Sequence, residues 1–514
     1  MLIRIANNQK IYLDQVDTSI DVELYDYFSA RHPRIRFIDV EQQGWDGYYR
    51  KYNSRDQSLA LPFLNELIGL CEKNNWPYDV VDERPAPKFI PSPDDVDPKM
   101  LHGITLEPHQ IRSIKDACRH EVGIISAPTG AGKTEIMAGI AKMYGCPTVI
   151  IADQRIIIEQ IKERLELRDV IDEVGLFYGG STPSGQLIVV GSIQSLSTPP
   201  ASMAEKDRDI YKKRKKRSKQ FQELTKKAGL LMVDECDKAT SKQYGNLFKY
   251  HFNGRRRFGF SGTPFDKKKP VQNLILREHL GGIISKTNRR ELEKIGRIIP
   301  VKFYMFAYGE NGDSQDKTAF DIAEREIIID NGDFHRRVKK IVDSFPDDGT
   351  LILLDTSNIE DLGINLEDTI PGSAFIYGKT PKTRRKELIK AFENRTLKCL
   401  IGGKIIKRGL DLAGGVENLI IIGGGKLWSE FDQKLGRAVR NNEKGWARVF
   451  SFLFLNNYYL YRHSREQLKA LLSLGYPSRI VFKDYTLDGA EYVASRFRRP
   501  KSKPKTKQAK LPLK

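Results

Sequence analysis

Short runs of apolar residues alternate with amphipathic stretches along most of the chain. Residues 122–126 (VGIIS) and 229–233 (GLLMV) are continuous apolar runs of strand length, and residues 134–145 (TEIMAGIAKMYG) carry apolar positions at helical spacing. Unbroken apolar runs of this length are typical of strands that are buried on both faces of a parallel sheet. The pattern predicts a strand, a loop and a helix in succession from residue 122.

The same alternation returns in the second half of the chain. Strand-like apolar runs occur within residues 349–366, 373–380, 397–403 and 416–425, and residues 384–394 form an amphipathic helical pattern. Strands that alternate with helices build a parallel sheet covered by helices. We therefore predict an α/β fold with two parallel-sheet domains in tandem.

The first ninety residues follow a different pattern. Residues 31–53 contain alternating strand-like positions around a Gly-Trp-Asp-Gly turn, with basic and aromatic residues interleaved, and residues 61–76 contain a helical pattern. A Pro-rich stretch follows, which is typical of a linker. These features predict a small α+β domain ahead of the two parallel-sheet domains.

At 514 residues the chain is longer than one ordinary domain. We predict five segments: a small α+β domain (1–88), a Pro-rich linker (89–99), a first parallel-sheet domain (100–297) with a basic insertion (205–227), a second parallel-sheet domain (298–470), and a C-terminal extension with a basic tail (471–514).

The formal net charge of +19 is concentrated in two segments. Residues 205–227 carry eleven Lys/Arg against four Asp/Glu, and residues 495–514 carry nine basic residues and no acidic residue. Both segments look flexible from their composition. Such blocks are typical of polyanion binding, above all nucleic acid, because each Lys or Arg contact releases counterions from phosphates. The alternative is a solvated arm that contributes only to solubility.

Cysteine usage and hydropathy limit the class of protein. The five cysteines are far apart and form no C-x-x-C pair, which predicts neither a disulfide framework nor a zinc site. No apolar run reaches the roughly 18 residues of a membrane span, and the N-terminus lacks the apolar centre of a signal peptide. We expect a soluble, cytoplasmic protein without a membrane partner, monomeric by default; for a phage protein this would be the host bacterial cytoplasm.

Residues 127–134 (APTGAGKT) form the loop between the predicted strand at 122–126 and the helix that follows. Gly130 and Gly132 let backbone N–H groups approach phosphate oxygens, Lys133 can reach the β- and γ-phosphates, and Thr134 can ligate Mg²⁺. The pattern departs from G-x-x-x-x-G-K-[ST] because Ala127 stands at the first glycine position. The predicted ATP contacts in this loop are Thr129, Gly130, Ala131, Gly132, Lys133 and Thr134.

An acidic pair follows the apolar run at 229–233. Asp234 and Glu235 would emerge at the carboxyl edge of the same sheet as the loop. Asp234 is the predicted Mg²⁺ ligand, and Glu235 is predicted to polarise the attacking water, because phosphoryl transfer depends on positioning and charge stabilisation. The alternative for an Asp-Glu pair after a strand is a solvated turn.

Five segments together resemble the motifs of superfamily 2 helicases in order and spacing. They are APTGAGKT (127–134), VDECD (233–237), SGTPF (261–265), KRGLDLAG (407–414) and QKLGRAVR (433–440). The resemblance implies two RecA-like domains with ATP and Mg²⁺ between them and nucleic acid across their top.

The resemblance assigns roles in the second RecA-like domain. It implies that Arg437 and Arg440 face the γ-phosphate, with Arg440 as the arginine finger, and that Gln433 contacts the ATP site. It also implies that Gly409 and Asp411 belong to the motif that links ATP to nucleic acid.

Further positions in the first RecA-like domain match more weakly. Gln110, in LEPHQIRSI (106–114), resembles an adenine-reading residue. In SGTPF, one of the five motifs above, Ser261 with Thr263 resembles the pair that couples hydrolysis to domain movement. Asp237 is a departure, since many relatives have His there. Candidate nucleic-acid contacts, with ordinary strand-end polar residues as the alternative, are Gln154, Arg155, Ser192 and Gln194.

The first ninety residues resemble the N-terminal domain of phage UvsW-type branch-migration helicases. The matching order is an Arg-rich strand, a GWDG turn, an Arg, and then LPF with a helix. On this basis Arg34, Arg36, Arg50 and Lys51 are the predicted contacts to duplex phosphates. Trp45 is interpreted as a core or turn-packing residue.

These features predict an ATP-dependent DNA helicase or translocase that remodels branched DNA, such as Holliday junctions, forks, and displacement or R-loops, in recombination, replication and repair. Its predicted partners are branched and duplex DNA, with RNA–DNA hybrid as a further candidate. Two alternatives stay open: an RNA helicase, and a nucleic-acid clamp that uses ATP as a switch without directional movement.

Overall fold

The computed structural model describes most of the chain. It covers residues 1–32, 45–87, 89–179, 181–183, 185–199, 202–203, 207–309, 316–403, 416–423, 442, 444–473, 478–481 and 491–492. The chain divides into two compact units, Met1–Leu292 and Glu293–Lys514. This division falls a few residues before the predicted boundary at 297/298.

The first unit begins with a small α+β domain. Its strands are β1 (Leu2–Ile5), β2 (Lys10–Asp14), β3 (Ser29–Arg31), β4 (Tyr48–Arg50), β5 (Ser58–Ala60) and β6 (Asp79–Asp82). Its helices are α1 (Thr18–Tyr27) and α2 (Leu64–Asn74), with a short 3₁₀ turn at Leu61–Phe63. Four strands form a sheet in the order β5-β2-β1-β6, in which β6 is parallel to β1, and β3 pairs with β4 as a separate hairpin.

The rest of the first unit is built on a seven-stranded sheet. Its strands are β7 (Val122–Ser126), β8 (Thr148–Ala152), β9 (Gly175–Phe177), β10 (Ile188–Ser192), β11 (Leu230–Asp234), β12 (Arg256–Ser261) and β13 (Ile283–Lys286). Its helices are α3 (Pro108–Arg119), α4 (Lys133–Tyr144), α5 (Arg155–Leu167), α6 (Ile193–Leu196), α7 (Arg208–Lys227), α8 (Lys242–Asn246), α9 (Pro270–Leu280) and α10 (Arg289–Lys294). A 3₁₀ turn spans Cys236–Lys238, and a π-helical turn spans Leu247–His251.

All pairings in the seven-stranded sheet are parallel, in the order β13-β7-β12-β11-β8-β10-β9. Every residue of β7, β8, β11 and β12 is buried, as the unbroken apolar runs predict. Helices join the consecutive strands except between β9 and β10, where the described residues form no helix, and α4 ends at Gly145, whose φ of +53° caps it. The predicted parallel α/β fold is confirmed for this unit.

The small domain packs firmly on the seven-stranded domain. Val271 and Leu274 of α9 lie in the apolar core of the small domain. The guanidinium of Arg257, on β12, is buried and donates to the backbone carbonyl of Asn8 at 2.7 Å, and burial lowers the pKa of Arg257 to about 10. The amide of Gln9 donates to the carbonyl of Phe252 at 2.6 Å. These contacts explain why the two domains form one unit.

The basic insertion is not the flexible segment expected from its composition. Most of it forms α7, a helix of 20 residues. The carboxylate of Asp207 caps this helix by accepting from the backbone N–H groups of Asp209 and Ile210 at 3.1 and 2.9 Å. Phe221 is fully buried and stacks on Phe177 with ring centroids 4.3 Å apart. An apolar anchor and an N-cap therefore outweigh the repulsion among the basic residues.

The second unit contains an eight-stranded sheet. Its strands are β14 (Val301–Tyr308), β15 (Thr350–Leu354), β16 (Ser373–Ile376), β17 (Cys399–Gly402), β18 (Asn418–Ile422), β19 (Ala447–Phe454), β20 (Ser478–Val481) and β21 (Glu491–Tyr492). Its helices are α11 (Phe320–Glu324), α12 (Gly332–Asp343), α13 (Ile359–Thr369), α14 (Lys382–Glu393) and α15 (Tyr458–Ser473), with a π-helical turn at Arg325–Ile329.

The strand order in the second unit is β16-β17-β15-β18-β19-β14-β20-β21, and only the β20–β21 pairing is antiparallel. Buried apolar side chains form one cluster on each face of this sheet. The second predicted parallel-sheet domain is confirmed. None of the helices in the described part of the chain has the length and apolar content needed to cross a membrane.

The anchor of α7 gives a first prediction. Replacing Phe221 by Ala removes a fully buried ring and leaves a cavity against Phe177, so the unfolding free energy of the first unit should fall by about 3–5 kcal/mol. Denaturant unfolding followed by circular dichroism measures this change. Ile210→Ala, on the same helix but exposed, is the control and should change stability by less than about 0.5 kcal/mol. Equal effects of the two substitutions would contradict the anchoring role.

Candidate functional site

The candidate site lies at the carboxyl edge of the seven-stranded sheet. Strands β7, β12 and β11 are neighbours, so the residues that follow them emerge side by side. The backbone N–H of Ala127, which follows β7, donates to the carbonyl of Ser261 at the end of β12 at 3.1 Å. The predicted phosphate loop and the predicted acidic box therefore leave the same edge of the sheet.

The backbone of the loop at 127–134 has the conformation that a phosphate cradle requires. Gly130 and Gly132 have φ angles of +90° and +75°, which favour glycine. A Cβ at Gly132 would lie 2.3 Å from the side-chain nitrogen of Gln110, so space also restricts this position. Ala131 is buried, and Lys133 and Thr134 occupy the first turn of α4. Backbone N–H groups at the start of a helix favour anions.

Lys133 and Glu235 form an ion pair within the candidate site. The ammonium of Lys133 donates to a carboxylate oxygen of Glu235 at 3.2 Å, and both side chains are largely buried. Burial by itself would lower the pKa of Lys133, but the carboxylates of Glu235 and Asp234 raise it overall. Lys133 is therefore a charged lysine held in a site of low solvent access.

The backbone at Glu235 is unusual. Its φ of +47° lies in the left-handed region, which is costly for a residue with a side chain. The bend occurs directly after β11 and begins the 3₁₀ turn Cys236–Lys238. We interpret this strain as the conformation that directs the Glu235 carboxylate towards Lys133.

Asp234 has the properties expected of a magnesium ligand. Burial raises its pKa to about 6, although Lys133 opposes this shift. Its Oδ1 atom is buried and has no hydrogen-bond partner among the described residues. Mg²⁺ in phosphoryl-transfer sites is typically bound by one or two carboxylates, substrate phosphates and water. Asp234 and Thr134, which lies in the first turn of α4 at the same edge of the sheet, fit this donor set.

Two residues of α3 contact the backbone of the loop at 127–134. His109 Nε2 and Gln110 Nε2 lie 2.8 and 3.1 Å from the carbonyl oxygen of Ala131. The side-chain oxygen of Gln110 also accepts from the backbone N–H of Glu107 at 2.9 Å. Gln110 thus contacts the loop, and its adenine-reading role stays a prediction. His109 was not predicted; the only signal for it was its place beside Gln110.

A second polar contact connects the acidic box to β12. The hydroxyl of Ser261 donates to the carboxylate of Asp237 at 2.9 Å and accepts from the backbone N–H of Thr263 at 3.2 Å. Burial raises the pKa of Asp237, and the Ser261 hydroxyl opposes this shift. Asp237 therefore contacts Ser261, one of the two predicted coupling residues, directly.

Lys238 extends this set of contacts to the next strand along the sheet. Its ammonium pairs with the carboxylate of Asp153 at 2.7 Å, just after β8. The residues that follow β8, β11 and β12 are thus joined by polar side chains.

The four predicted nucleic-acid contacts of this domain lie at the carboxyl ends of β8 and β10, which are adjacent. Gln154 and Arg155 begin α5, and Arg155 is exposed, with Glu159 at 3.0 Å and the Tyr178 ring at 5.2 Å. The hydroxyl of Ser192 lies 2.8 Å from that of Ser195, and Gln194 is exposed. The structure brings all four to one edge, and their role stays a prediction.

In the small domain, the described basic candidates already have carboxylate partners. Arg50 pairs with Asp46 at 2.5 Å and lies over the rings of Tyr25 and Tyr48. Lys51 pairs with Glu278 of α9 at 2.6 Å, in the contact between the two domains. Their phosphate contacts stay predictions.

Trp45 packs in the turn, as interpreted from the sequence. Its ring lies 5.3 Å from that of Tyr49, and its indole N–H donates to the carbonyl of Tyr48 at 3.0 Å.

Several predicted site residues lie outside the described residues. They are Arg34, Arg36, Gly409, Asp411, Gln433, Arg437 and Arg440, together with the basic tail from residue 493.

Two known families match parts of the chain. The family described as "Type III restriction enzyme, res subunit" matches residues 103–266, and "Helicase conserved C-terminal domain" matches residues 371–442. The first match contains the loop, the acidic box and Ser261, and the second lies in the second unit. The chain resembles superfamily 2 helicases, and the predicted resemblance to the UvsW type is confirmed.

Individual relatives are similar at low identity. The chain is 23% identical over 385 residues to "DNA 3'-5' translocase XPB2" of Sulfurisphaera tokodaii, covering 68% of this chain and 81% of that protein. It is 24% identical over 306 residues to "ATP-dependent DNA helicase uvsW" of Enterobacteria phage T4, covering 54% of this chain and 55% of that protein. The crystal structure of T4 UvsW aligns with 94% of this chain and 99% of that chain, at 15% identity and a TM-score of 0.43.

The contact between Ser261 and Asp237 gives the second prediction. Ser261→Ala removes the hydroxyl that donates to a largely enclosed carboxylate, so stability should fall by about 1–3 kcal/mol. A double-mutant cycle with Asp237→Ala should show a coupling energy of roughly 0.5 kcal/mol or more. Denaturant unfolding provides the measurement. Ser241→Ala, at an exposed helix start without a side-chain cap, is the control. If the effects of the two substitutions on the unfolding free energy were strictly additive, the contact between Ser261 and Asp237 would not contribute to stability.

Proposed function

We propose that the chain is an ATP-dependent DNA helicase or translocase that remodels branched DNA. The observation that carries this proposal is the buried pairing of Lys133 with Glu235 beside Asp234, at the edge where the loop at 127–134 begins α4. This arrangement supplies phosphate neutralisation, a candidate metal ligand and a carboxylate for water within one site. The helicase family matches and the two DNA-acting relatives support the choice of substrate class.

The proposed chemistry assigns a separate task to each side chain. The backbone N–H groups of the loop bind the phosphates, and Lys133 turns from Glu235 to the β- and γ-phosphates when nucleotide enters. Glu235 is then released to accept a hydrogen bond from the attacking water and to orient it. Asp234 and Thr134 would hold Mg²⁺, which supplies charge neutralisation on the phosphates. Because the Glu235 oxygen that accepts from Lys133 loses this partner when Lys133 moves, phosphate binding itself would prepare the base.

Coupling to nucleic acid is proposed to run along the carboxyl edge of the sheet. Asp237 is the last residue of the acidic box, and a change in its position would move Ser261. Ser261 would in turn move Thr263, because the two hydrogen bonds described above join the three residues. Lys238, in the same turn, pairs with Asp153, which precedes Gln154 and Arg155 in the chain. A shift of the turn at Cys236–Lys238 during hydrolysis would therefore reach the predicted nucleic-acid contacts directly.

The proposed function is tested by comparing substrates. A mobile Holliday junction, a fork and an RNA duplex are incubated with the protein and either ATP or a non-hydrolysable analogue. We expect ATP-dependent strand exchange on the junction and the fork, and little on the RNA duplex. Preference for the RNA duplex would favour an RNA helicase, and ATP-dependent binding without strand movement would favour a clamp.

The ATP site gives the third prediction. Lys133→Ala should weaken nucleotide binding, because the main cation for the phosphates is lost. Glu235→Gln should keep ATP binding but lower the DNA-stimulated hydrolysis rate roughly 100-fold or more, because the water is no longer polarised. Equilibrium binding of a fluorescent ATP analogue and steady-state ATPase assays separate the two effects.

Two exposed positions provide matched controls for that experiment. Lys142→Ala changes a lysine at the other end of α4, and Glu163→Gln changes an exposed glutamate on α5. Both should behave like the unmodified protein. A Glu235→Gln variant with normal turnover would remove the catalytic assignment.

The fourth prediction concerns the arginine finger. We expect Arg440→Ala to bind DNA normally and to lose stimulated ATPase by roughly 10³-fold, because an arginine finger stabilises transition-state charge only. Arg437→Ala serves as the comparison. A normal ATPase in Arg440→Ala with a loss in Arg437→Ala would reassign the finger to Arg437.

A further inference from the structure

Helix α7 consists of an anchored half and a projecting half. The anchored half, residues 217–227, carries every buried residue of the helix, namely Ser218, Phe221 and Thr225. The hydroxyl of Ser218 and the amide of Gln222 donate to the carbonyl of Leu196 at 2.9 and 2.8 Å. Residues 208–216 contain no buried side chain.

Close packing prevents the anchored half from sliding or rotating. A Cβ at Gly191, on β10, would lie 2.4 Å from the Phe221 ring, so the ring rests directly on the strand backbone. Arg217 donates to the carbonyl of Gly179, and to that of Ser181 at 2.7 Å, and it lies over the Phe177 ring. Arg217 is therefore a structural arginine and is not available for a ligand.

The projecting half lies beyond the carboxyl edge of the sheet. The helix ends three residues before β11 begins, so its C-terminus is at the amino edge. Arg217 contacts Gly179 and Ser181, which follow the end of β9 at the carboxyl edge. Residues 208–216 continue past this level for about 13 Å at 1.5 Å per residue. This is the edge where Gln154, Arg155, Ser192 and Gln194 also lie.

The projecting half is strongly basic, and its charge is not neutralised locally. It contains six basic residues and one acidic residue, Asp209. No carboxylate in the described part of the chain forms an ion pair with Arg208, Lys212, Lys213, Arg214, Lys215 or Lys216. By contrast, three of the four basic residues of α12 pair with a carboxylate of their own helix, for example Arg337 with Asp333 at 2.8 Å. The projecting half of α7 has no such pairing among the described residues.

The chemistry of the segment favours a phosphate backbone. Four of its six basic residues are lysines, which bind phosphates as point charges and lack the planar fork that reads base edges. A membrane-surface helix needs a free apolar face to insert, whereas the apolar face of α7 is buried on Phe177. Ile210 is the one large aliphatic side chain in the projecting half.

We propose that Arg208–Lys216, here called the basic arm, binds the DNA phosphate backbone at a site separate from the motor's own contacts and without reading sequence. The inference rests on the proposed function, because it assumes that DNA crosses the carboxyl edge of the seven-stranded sheet. The buried Phe221 fixes helix α7 on the sheet, so the charges of the basic arm have a fixed position relative to the sheet. The arm would keep the DNA engaged while the motor's own contacts change with nucleotide.

The test removes equal charge from the two halves of the same helix. The arm variant is Lys212→Gln, Lys213→Gln and Lys216→Gln together, and the control variant is Lys219→Gln, Lys226→Gln and Lys227→Gln together. All six lysines are exposed, and glutamine is a good helix former, so both variants should keep α7. An arm variant with the same lysines changed to Arg restores the charge. Thermal unfolding verifies that all three variants fold.

Binding of a plain duplex is measured without nucleotide at several salt concentrations. Each duplex phosphate contact contributes about 0.9 to the magnitude of the slope of log affinity against log salt concentration. Because the arm variant lacks three lysines, the magnitude of its slope should be lower by roughly 2 to 3. The control variant and the Lys-to-Arg variant should keep the slope. On single-stranded DNA the loss should be smaller, at about 0.7 per contact.

Other results would overturn the proposal. Equal loss in both Gln variants would show a general electrostatic field instead of a fixed site, and no loss in either would show a solvated helix. Sedimentation with anionic lipid vesicles that depends on the arm, with unchanged DNA binding, would assign it to a membrane. Because the measurement uses no nucleotide, a normal arm effect in a protein without DNA-stimulated ATPase would contradict only the proposed motor function.

Discussion

The buried contact between Lys133 and Glu235 is the interaction on which the candidate site depends. A lysine with so little solvent access is stable as a cation only beside a carboxylate, and Glu235 and Asp234 supply that charge. The parallel order β7-β12-β11 makes the meeting possible, because it brings the loop and the acidic box to one edge although they are about 100 residues apart. The strained backbone at Glu235 then sets the direction of its carboxylate.

Around this site the first unit acts as one rigid platform. The small domain is held on the seven-stranded domain by the shared apolar core at Val271 and Leu274 and by the buried Arg257. The basic arm is held on the opposite end of the sheet, beside β9, by Phe221. Nucleic acid bound by either element would thus have a fixed position relative to the ATP loop. In the proposed mechanism, movement during the ATP cycle begins at the turn Cys236–Lys238.

Much of this arrangement could be predicted from local sequence. Strands buried on both faces carry unbroken apolar runs, and glycines with positive φ in the loop belong to a recognisable motif, so β7, β11 and the cradle were predictable. Helix α7 was missed, although Asp207 and the spacing of Ser218, Phe221 and Thr225 contained the signal. Its basic composition suggested flexibility, whereas the burial of one ring determined its structure.

Other features could not be read from a single sequence because they depend on distant partners. Lys51 pairs with Glu278, which is remote in the chain and carries no local signal of this contact; the predicted phosphate contact of Lys51 stays a prediction. The support of Ala131 by His109 likewise depends on how α3 packs below the loop. The contact of Asp237 with Ser261 appears only once β11 and β12 are known to be neighbours.

The central claim is that the Lys133–Glu235 pair is the resting state of a nucleotide site and opens when phosphate enters. A crystal structure of the protein with Mg²⁺, ADP and beryllium fluoride, which stands in for the γ-phosphate, tests this claim most directly. We predict that Lys133 Nζ lies within hydrogen-bond distance of the β-phosphate or fluoride, that Glu235 has separated from it, and that Asp234 lies at the Mg²⁺ ion. Nucleotide bound elsewhere, with the Lys133–Glu235 contact still at about its present length, would contradict the account.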